Sequence, residues 1–197
     1  MEFTDDGVVI DKPPSDLDRL MLEVGGILDD VGIEYSVVSG YVAVLFGRAR
    51  ATEDIDVITE RFAEGQADEL ATRLQEAGYW GSAMPLEDAY ETLADDLPVR
   101  VAEDGHRVPN VELKFASDEH DRISLDDAIS VRLGGETIRV GSLEFQIAFK
   151  LDMGARKDYE DALYLHEVAG PSLNRTALEE YVTKLGVQDE YEQLEGS

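Results

Sequence analysis

Two hydrophobic rhythms run along this chain, and the places where one gives way to the other mark out its elements. Residues 35–38 form a short run with paired valines, halted by Ser39 and Gly40, which predicts a buried strand closed by a turn. Residues 41–46 are apolar throughout and too few for periodicity to decide, but the flanking Gly40 and Gly47 favour a short buried helix. Residues 54–58, Asp-Ile-Asp-Val-Ile, alternate polar and apolar side chains as a half-buried strand does. On such a strand Asp54 and Asp56 point to the same face.

Around this central unit, residues 1–14 read as an arm closed by Pro13 and Pro14. Ser15 is a good helix cap, and Leu17, Leu20, Met21, Val24, Ile27 and Leu28 then recur at helical spacing to about Asp30, with Gly32 as the stop. Gly25 and Gly26 inside that helix each cost roughly 1 kcal/mol relative to alanine, which close packing against a sheet would explain. A second amphipathic helix is predicted over 64–77, with Ala67, Leu70, Ala71 and Leu74 inward, then an irregular stretch from Tyr79 and Trp80, then a helix over 86–93. Strands follow at 99–101 and 111–115, the second with Val111, Leu113 and Phe115 on one face and Glu112 and Lys114 on the other. Gly134 and Gly135 signal a hairpin between 131–133 and 137–140. The C-terminal third reads as helices: one capped by Ser142, one over 156–168 after a break at Gly154, and one carrying Leu178, Tyr181, Val182 and Leu185. Beyond Gly186 an acidic, frayed tail is expected. The class is α/β (α+β), divided into a core over 1–141 and a helical C-terminal part over 142–197 packed on it.

At 197 residues and 43% hydrophobic content the chain can bury a real core. It has no cysteine, which excludes disulfides, thiolate nucleophiles and cysteine-based zinc sites. An acidic start and the lack of a long apolar run point to a cytoplasmic protein with no membrane partner. The net charge of −27, from 17 basic and 44 acidic residues, is that expected of a protein adapted to a high-salt cytoplasm such as a halophilic archaeon's. The acidic residues are interleaved with apolar periodicity rather than grouped in blocks, which argues against a disordered tail or a nucleic-acid mimic. Lysine is confined to Lys12, Lys114, Lys150, Lys157 and Lys184.

Candidate chemistry gathers at the central unit. Two carboxylates side by side repel each other unless a cation lies between them, and Mg²⁺ takes one or two carboxylates together with water and substrate phosphates. The turn at Ser39 and Gly40 offers backbone N–H groups to a phosphate, and Arg48 and Arg50 supply planar forks for its oxygens. Together these describe metal-dependent phosphoryl or nucleotidyl transfer; D-x-D alone would equally suit an acidic strand edge, or a Mg²⁺ nuclease or phosphatase. Glu112, on a neighbouring strand, is placed as a third metal ligand or general base, or else is a surface residue paired with a lysine. Lys157 and Asp161 have the spacing of a helical salt bridge. The run 118–121 reads as a solvated turn before the next segment, Trp80 as a core or lid residue, and His106 and His166 as structural or exposed.

The stretch SGYVAVLFGRARATEDIDVIT resembles the signature of the DNA polymerase β-type nucleotidyltransferase superfamily, and its wording is similar to the small prokaryotic branch that includes AbiEii abortive-infection toxins. The resemblance implies a nucleotidyltransferase-like mixed sheet flanked by helices, two Mg²⁺ ions, and a nucleoside triphosphate donor. VELKF resembles the strand carrying the family's third carboxylate, which gives Asp54, Asp56 and Glu112 the catalytic and metal-binding roles. LEFQIAFKLDMGARKDYEDA resembles its second conserved block, so that Lys150 would bind donor phosphates while Asp158 and Asp161 organise the site. Ser39, Gly40, Arg48, Arg50, Thr52 and Lys157 complete the implied substrate-binding set. The acceptor implied is a protein or RNA hydroxyl, with a cognate toxin or antitoxin as partner. The chain departs from the pattern at Ser39, where glycine is usual, and at Glu112, where aspartate is usual. Those departures motivate the alternative of a catalytically inactive binding or antitoxin protein on the same fold.

Overall fold

The computed structural model describes residues 1–4 and 7–196. Nine strands form one mixed sheet among the described residues: β1 (Glu2–Thr4), β2 (Gly7–Ile10), β3 (Tyr35–Val38), β4 (Asp54–Thr59), β5 (Tyr79–Gly81), β6 (Val99–Glu103), β7 (Asn110–Phe115), β8 (Ile129–Leu133) and β9 (Glu136–Val140). Their spatial order is β1-β2-β8-β9-β3-β4-β7-β6-β5. Strand β3 runs antiparallel to β4 and β4 parallel to β7, so β3 ends where β4 and β7 are beginning. Side chains alternate across this centre: Ile55, Val57, Val111 and Leu113 bury themselves on one face, and Asp54, Asp56, Glu112 and Lys114 emerge on the other.

The apolar face is covered by α1 (Asp16–Val31), whose start is fixed by a capping box between Ser15 and Asp18 and whose end is the left-handed Gly32. Gly25 allows the close approach expected of it, since a Cβ there would lie 2.6 Å from the Tyr35 hydroxyl; Gly26 has open space. The polar face is roofed by α5 (Glu119–Asp126) and α6 (Leu143–Met153), whose side chains wall a cavity with Asp56 and Glu112. The remaining helices are α2 (Gly40–Leu45), α3 (Glu64–Glu76), α4 (Ala89–Ala94), α7 (Arg156–Ala169), α8 (Arg175–Leu185) and α9 (Gln188–Glu195). None of the described helices is long and apolar enough to cross a membrane.

Several elements differ from the sequence expectation. The arm over 1–14 contributes strands β1 and β2, and β2 joins β8 in parallel, burying Val8 and Ile10. Asp5 and Asp6 of that arm lie outside the described residues. Tyr79 and Trp80 open a strand rather than an irregular stretch, and the helix over 86–93 begins as a 3₁₀ turn before α4. The tail beyond Gly186 is helical: Val187, Tyr191 and Leu194 are buried at 5%, 7% and 2% exposure, and burying that apolar edge holds α9 in place.

Candidate active site

The register of β4 and β7 sets the geometry. Asp54 lies opposite Asn110, Asp56 opposite Glu112, and Ile58 opposite Lys114. Asn110 Nδ2 donates to Asp54 Oδ1 at 2.6 Å, and Thr52 Oγ1 donates to the Asp54 carbonyl at 3.0 Å, which pins the first residue of β4. Burial pushes the Asp56 carboxyl above its ordinary proton affinity; the Ser39 hydroxyl pulls it back, and the charges of Glu112 and Asp54 add to the rise. Glu112 is half-buried, and Arg100, opposite it on β6, donates from Nε to its Oε2 at 2.7 Å. Lys114 does not serve Glu112; it pairs with Asp121 at 2.8 Å. Among the described residues no three His, Cys, Asp or Glu side chains are drawn to a common point fit for a metal ion. Asp54, Asp56 and Glu112 are therefore neighbours in register, with one of the three engaged by an arginine.

Ser39 follows β3 directly and takes φ 67° and ψ −136°, a left-handed conformation that glycine adopts freely and L side chains do not. Its N–H donates to Gln146 Oε1 at 3.2 Å, so the buried Gln146 of α6 ties the turn to the C-terminal helices. At Gly40 a Cβ would come within 3.1–3.3 Å of the Arg50 guanidinium, which lies over the bare backbone there.

Charge from three distant stretches meets at Asp161 of α7. Its carboxylate pairs with Arg48, with Arg50 at 2.5 Å and with Lys150 Nζ at 2.9 Å, and it is fully buried. Arg48 also reaches Glu160 at 2.8 Å and the Lys157 carbonyl at 3.3 Å. The helical pair Lys157–Asp161 is not formed, because the arginines and Lys150 have taken both oxygens of Asp161; the Lys157 side chain is exposed. Lys150 is 2% exposed, and burial first, then the Arg50, Arg48 and Lys157 charges, push its ammonium down to about 8 against the opposing pull of Asp158. One carboxylate shared three ways cannot offset that burial. Asp158 is also buried, and its Oδ2 has no hydrogen-bond partner among the described residues.

Between these groups lies a cavity of about 290 Å³ lined by Ser39, Asp56, Glu112, Lys114, Gln146 and Lys150 among others. The expected residues thus divide into a carboxylate row (Asp54, Asp56, Glu112), a turn (Ser39, Gly40) and a cation cluster (Arg48, Arg50, Lys150) held by Asp161. Thr52 serves the backbone and Lys157 stands outside the cluster. Sequence reasoning missed Asn110, Arg100 and Gln146, whose roles come from cross-strand and long-range neighbours that no local spacing reveals. The run 118–121 caps α5 through Asp118 and buries Asp121 against Lys114, Ser117 and the helix start, so only part of it is a solvated turn.

The nine-stranded mixed sheet of the described residues, with paired carboxylates at the start of β4, matches nucleotidyltransferase-like folds. The family model described as aminoglycoside-2''-adenylyltransferase matches residues 20–165, and the chain belongs to that family. Solved structures with the same fold include an antigenic nucleotidyltransferase-like protein from Paracoccidioides brasiliensis, with 19% identity, 89% of this chain and 90% of that one covered, and a TM-score of 0.56. The antibiotic-resistance factor ANT(2'')-Ia is similar at 14% identity, covering 92% and 97% with a TM-score of 0.51, and the same enzyme is known in complex with adenylyl-2''-tobramycin. JHP933 from Helicobacter pylori is similar at 16% identity, covering 93% and 96% with a TM-score of 0.51. At these identities the likeness is one of fold. A comparison with curated protein sequences finds no match.

Proposed function

We propose that the chain transfers a nucleoside monophosphate from a nucleoside triphosphate to an acceptor hydroxyl. The observation that carries this reading is the register that sets Asp56 opposite Glu112, with Asp54 two residues away on the same face of β4, while Ser39, Asp56, Glu112 and Lys150 line one cavity. The donor set fits a hard divalent ion. Asp54 and Asp56 stand on one face of one strand, and Asp56 is already strained by burial and by both neighbouring charges. Mg²⁺ held by Asp54 and Asp56, with Glu112 joining when it leaves Arg100, would neutralise phosphate charge and polarise the reacting phosphorus. The chain's own groups supply the rest. Lys150, with Arg48 and Arg50 behind it, meets the triphosphate oxygens. The acceptor oxygen bonds to the α-phosphorus, the bond to the bridging oxygen breaks, pyrophosphate leaves with the electron pair, and Glu112 takes the hydroxyl proton.

Two acceptor classes follow from two sources. The family's description points to an aminoglycoside, and a chain of net charge −27 attracts such a polycation. The AbiEii-like resemblance points to a protein or RNA hydroxyl in a toxin–antitoxin pair. An inactive binding protein is the competing reading, and the Arg100 grip on Glu112 favours it. We also take residues 142–197 as a helical subdomain packed on a core of 1–141, in a cytoplasmic protein.

The test incubates the protein with α-labelled nucleoside triphosphates and Mg²⁺ in high salt, offering tobramycin, total RNA and a protein fraction separately. Label should pass to one of them, and Asp56→Ala should lower the rate by about 10³-fold, the scale of roughly 4 kcal/mol of lost charge stabilisation. Transfer that Asp56→Ala leaves intact, or none to any acceptor, refutes the proposal.

A further inference from the structure

Ser39 carries a strain that a glycine in its place would not. Among the described residues only Ser39 and Asp96 take a positive φ without being glycine, and Asp96 is exposed. A backbone at φ 67° and ψ −136° persists only where its surroundings hold it. The holder comes from the far end of the chain. Strands β3 and β9 are parallel neighbours, so both finish at the same end of the sheet, and the Gly141 N–H donates to the Val37 carbonyl at 2.9 Å. Ser142 caps α6 immediately afterwards, which brings the first turn of that helix beside the end of β3. From there Gln146, 3% exposed, accepts the Ser39 N–H on Oε1. Its Nε2 lies 2.8 Å from where a Cβ on Gly141 would stand, so the bare backbone at 141 leaves room for the amide.

A buried glutamine needs a polar partner somewhere, and that need alone would account for a hydrogen bond. Two features go beyond it. Gln146 takes the N–H of a strained residue that lines the same cavity as Gln146 itself, Asp56 and Glu112. The Ser39 hydroxyl, whose direction follows from that backbone, hydrogen-bonds Asp56. One helical turn further along α6, Lys150 lines the cavity too and pairs with Asp161, so a single helix holds the turn and the cation cluster together. We propose that Gln146 is a positioning residue: it holds the Ser39 backbone so that the hydroxyl stays on Asp56 and the turn keeps its shape at the cavity. Gly141 belongs to the same device, as the position whose missing side chain admits the amide. The role rests on the nucleotidyl-transfer reading above.

Two variants of the full chain release the turn by different routes. Gln146→Met keeps the length of the side chain and removes the acceptor. Gly141→Ala keeps the glutamine and pushes its amide aside; φ at Gly141 is not left-handed, so its backbone accepts alanine. Each should speed hydrogen exchange of the Ser39 amide by about tenfold and lower kcat for label transfer by about tenfold, with KM for the acceptor unchanged. In a Ser39→Gly background, where the turn is free of strain, the same two changes should lower kcat by less than about twofold. A glutamine that only adds stability would lower the unfolding midpoint in both backgrounds and leave kcat, measured well below that midpoint, as it was. That result overturns the proposal, as does unchanged exchange at Ser39 or an equal fall in kcat in both backgrounds. Label transfer indifferent to Gln146 removes the positioning role alone. If the wild type transfers no label to any acceptor, the nucleotidyl-transfer reading falls and takes the role with it.

Discussion

Asp56 is where stability and the proposed chemistry pull in opposite directions. Burial, opposed by the Ser39 hydroxyl and reinforced by Glu112 and Asp54, raises its carboxyl above the ordinary value of 3.8. A raised folded-state value means that protonated Asp56 contributes stability that is full below pH 3.8 and lost as pH rises through the folded value. At neutral pH the ionised side chain therefore weighs against the fold. Asp56→Asn removes that charge, so its thermal midpoint at pH 7 should exceed the wild type's by roughly 2–4 °C per kcal/mol relieved. The advantage should vanish in acid once the wild-type carboxyl is protonated, and nucleotidyl transfer should be lost throughout. Unfolding scans across pH check it; equal midpoints at neutral pH would mean that the repulsion is already compensated. Ser39 beside it holds a glycine-like φ of 67°, a strain of about 1–3 kcal/mol, and places its hydroxyl to hydrogen-bond Asp56.

At the scale of elements, Asp161 on α7 fastens the loop between α2 and β4 to α6 through Arg48, Arg50 and Lys150. Asp161→Ala would leave the buried Lys150 and the two arginines without the carboxylate they share, with the Asp158 charge still favouring the ionised form of Lys150. Breaking such a buried network should lower unfolding stability by about 3–5 kcal/mol, read as a lower urea midpoint at unchanged slope. A loss below about 1 kcal/mol would class the cluster with ordinary surface pairs. The same cluster marks the limit of what the sequence could tell. Lys157 and Asp161 have the spacing of a helical pair, yet Asp161 is claimed by Arg50, 111 residues away, because burying it against a guanidinium fork outweighs a solvated contact within one helix. Elements bearing two independent signals were legible: α1 with its cap, its periodicity and its closing glycine, and the β8–β9 hairpin with paired glycines at φ 63° and 94°. Strands β1, β2 and β5, of three or four residues, owe their existence to partner strands, and so carry no rhythm of their own. In the candidate site the D-x-D strand could be read directly, whereas the Arg100 grip on Glu112 follows from β6–β7 register, which no local pattern specifies.

Across the whole molecule, 44 acidic residues face 17 basic ones, and the ion pairs that form leave a net charge of −27. At about 0.1 M salt the screening length is about 10 Å, long enough for each surface carboxylate to repel several neighbours; at about 1 M it falls to about 3 Å. The folded chain concentrates that repulsion more than the unfolded chain does, so salt should favour folding. Raising KCl from about 0.1 to about 1 M should lift the thermal midpoint by roughly 5–10 °C, corresponding to about 2–3 kcal/mol. The site should respond in the opposite sense. In the proposed function Lys150 and the arginines bound to Asp161 would attract a triphosphate through charge, so screening should weaken nucleotide binding over the same range. Measuring midpoint and affinity in one salt series separates the two effects. A midpoint indifferent to KCl would mean that the dispersed carboxylates contribute little net repulsion, and a midpoint that falls would mean that ion pairs such as Arg48–Glu160 and Lys114–Asp121 dominate the balance.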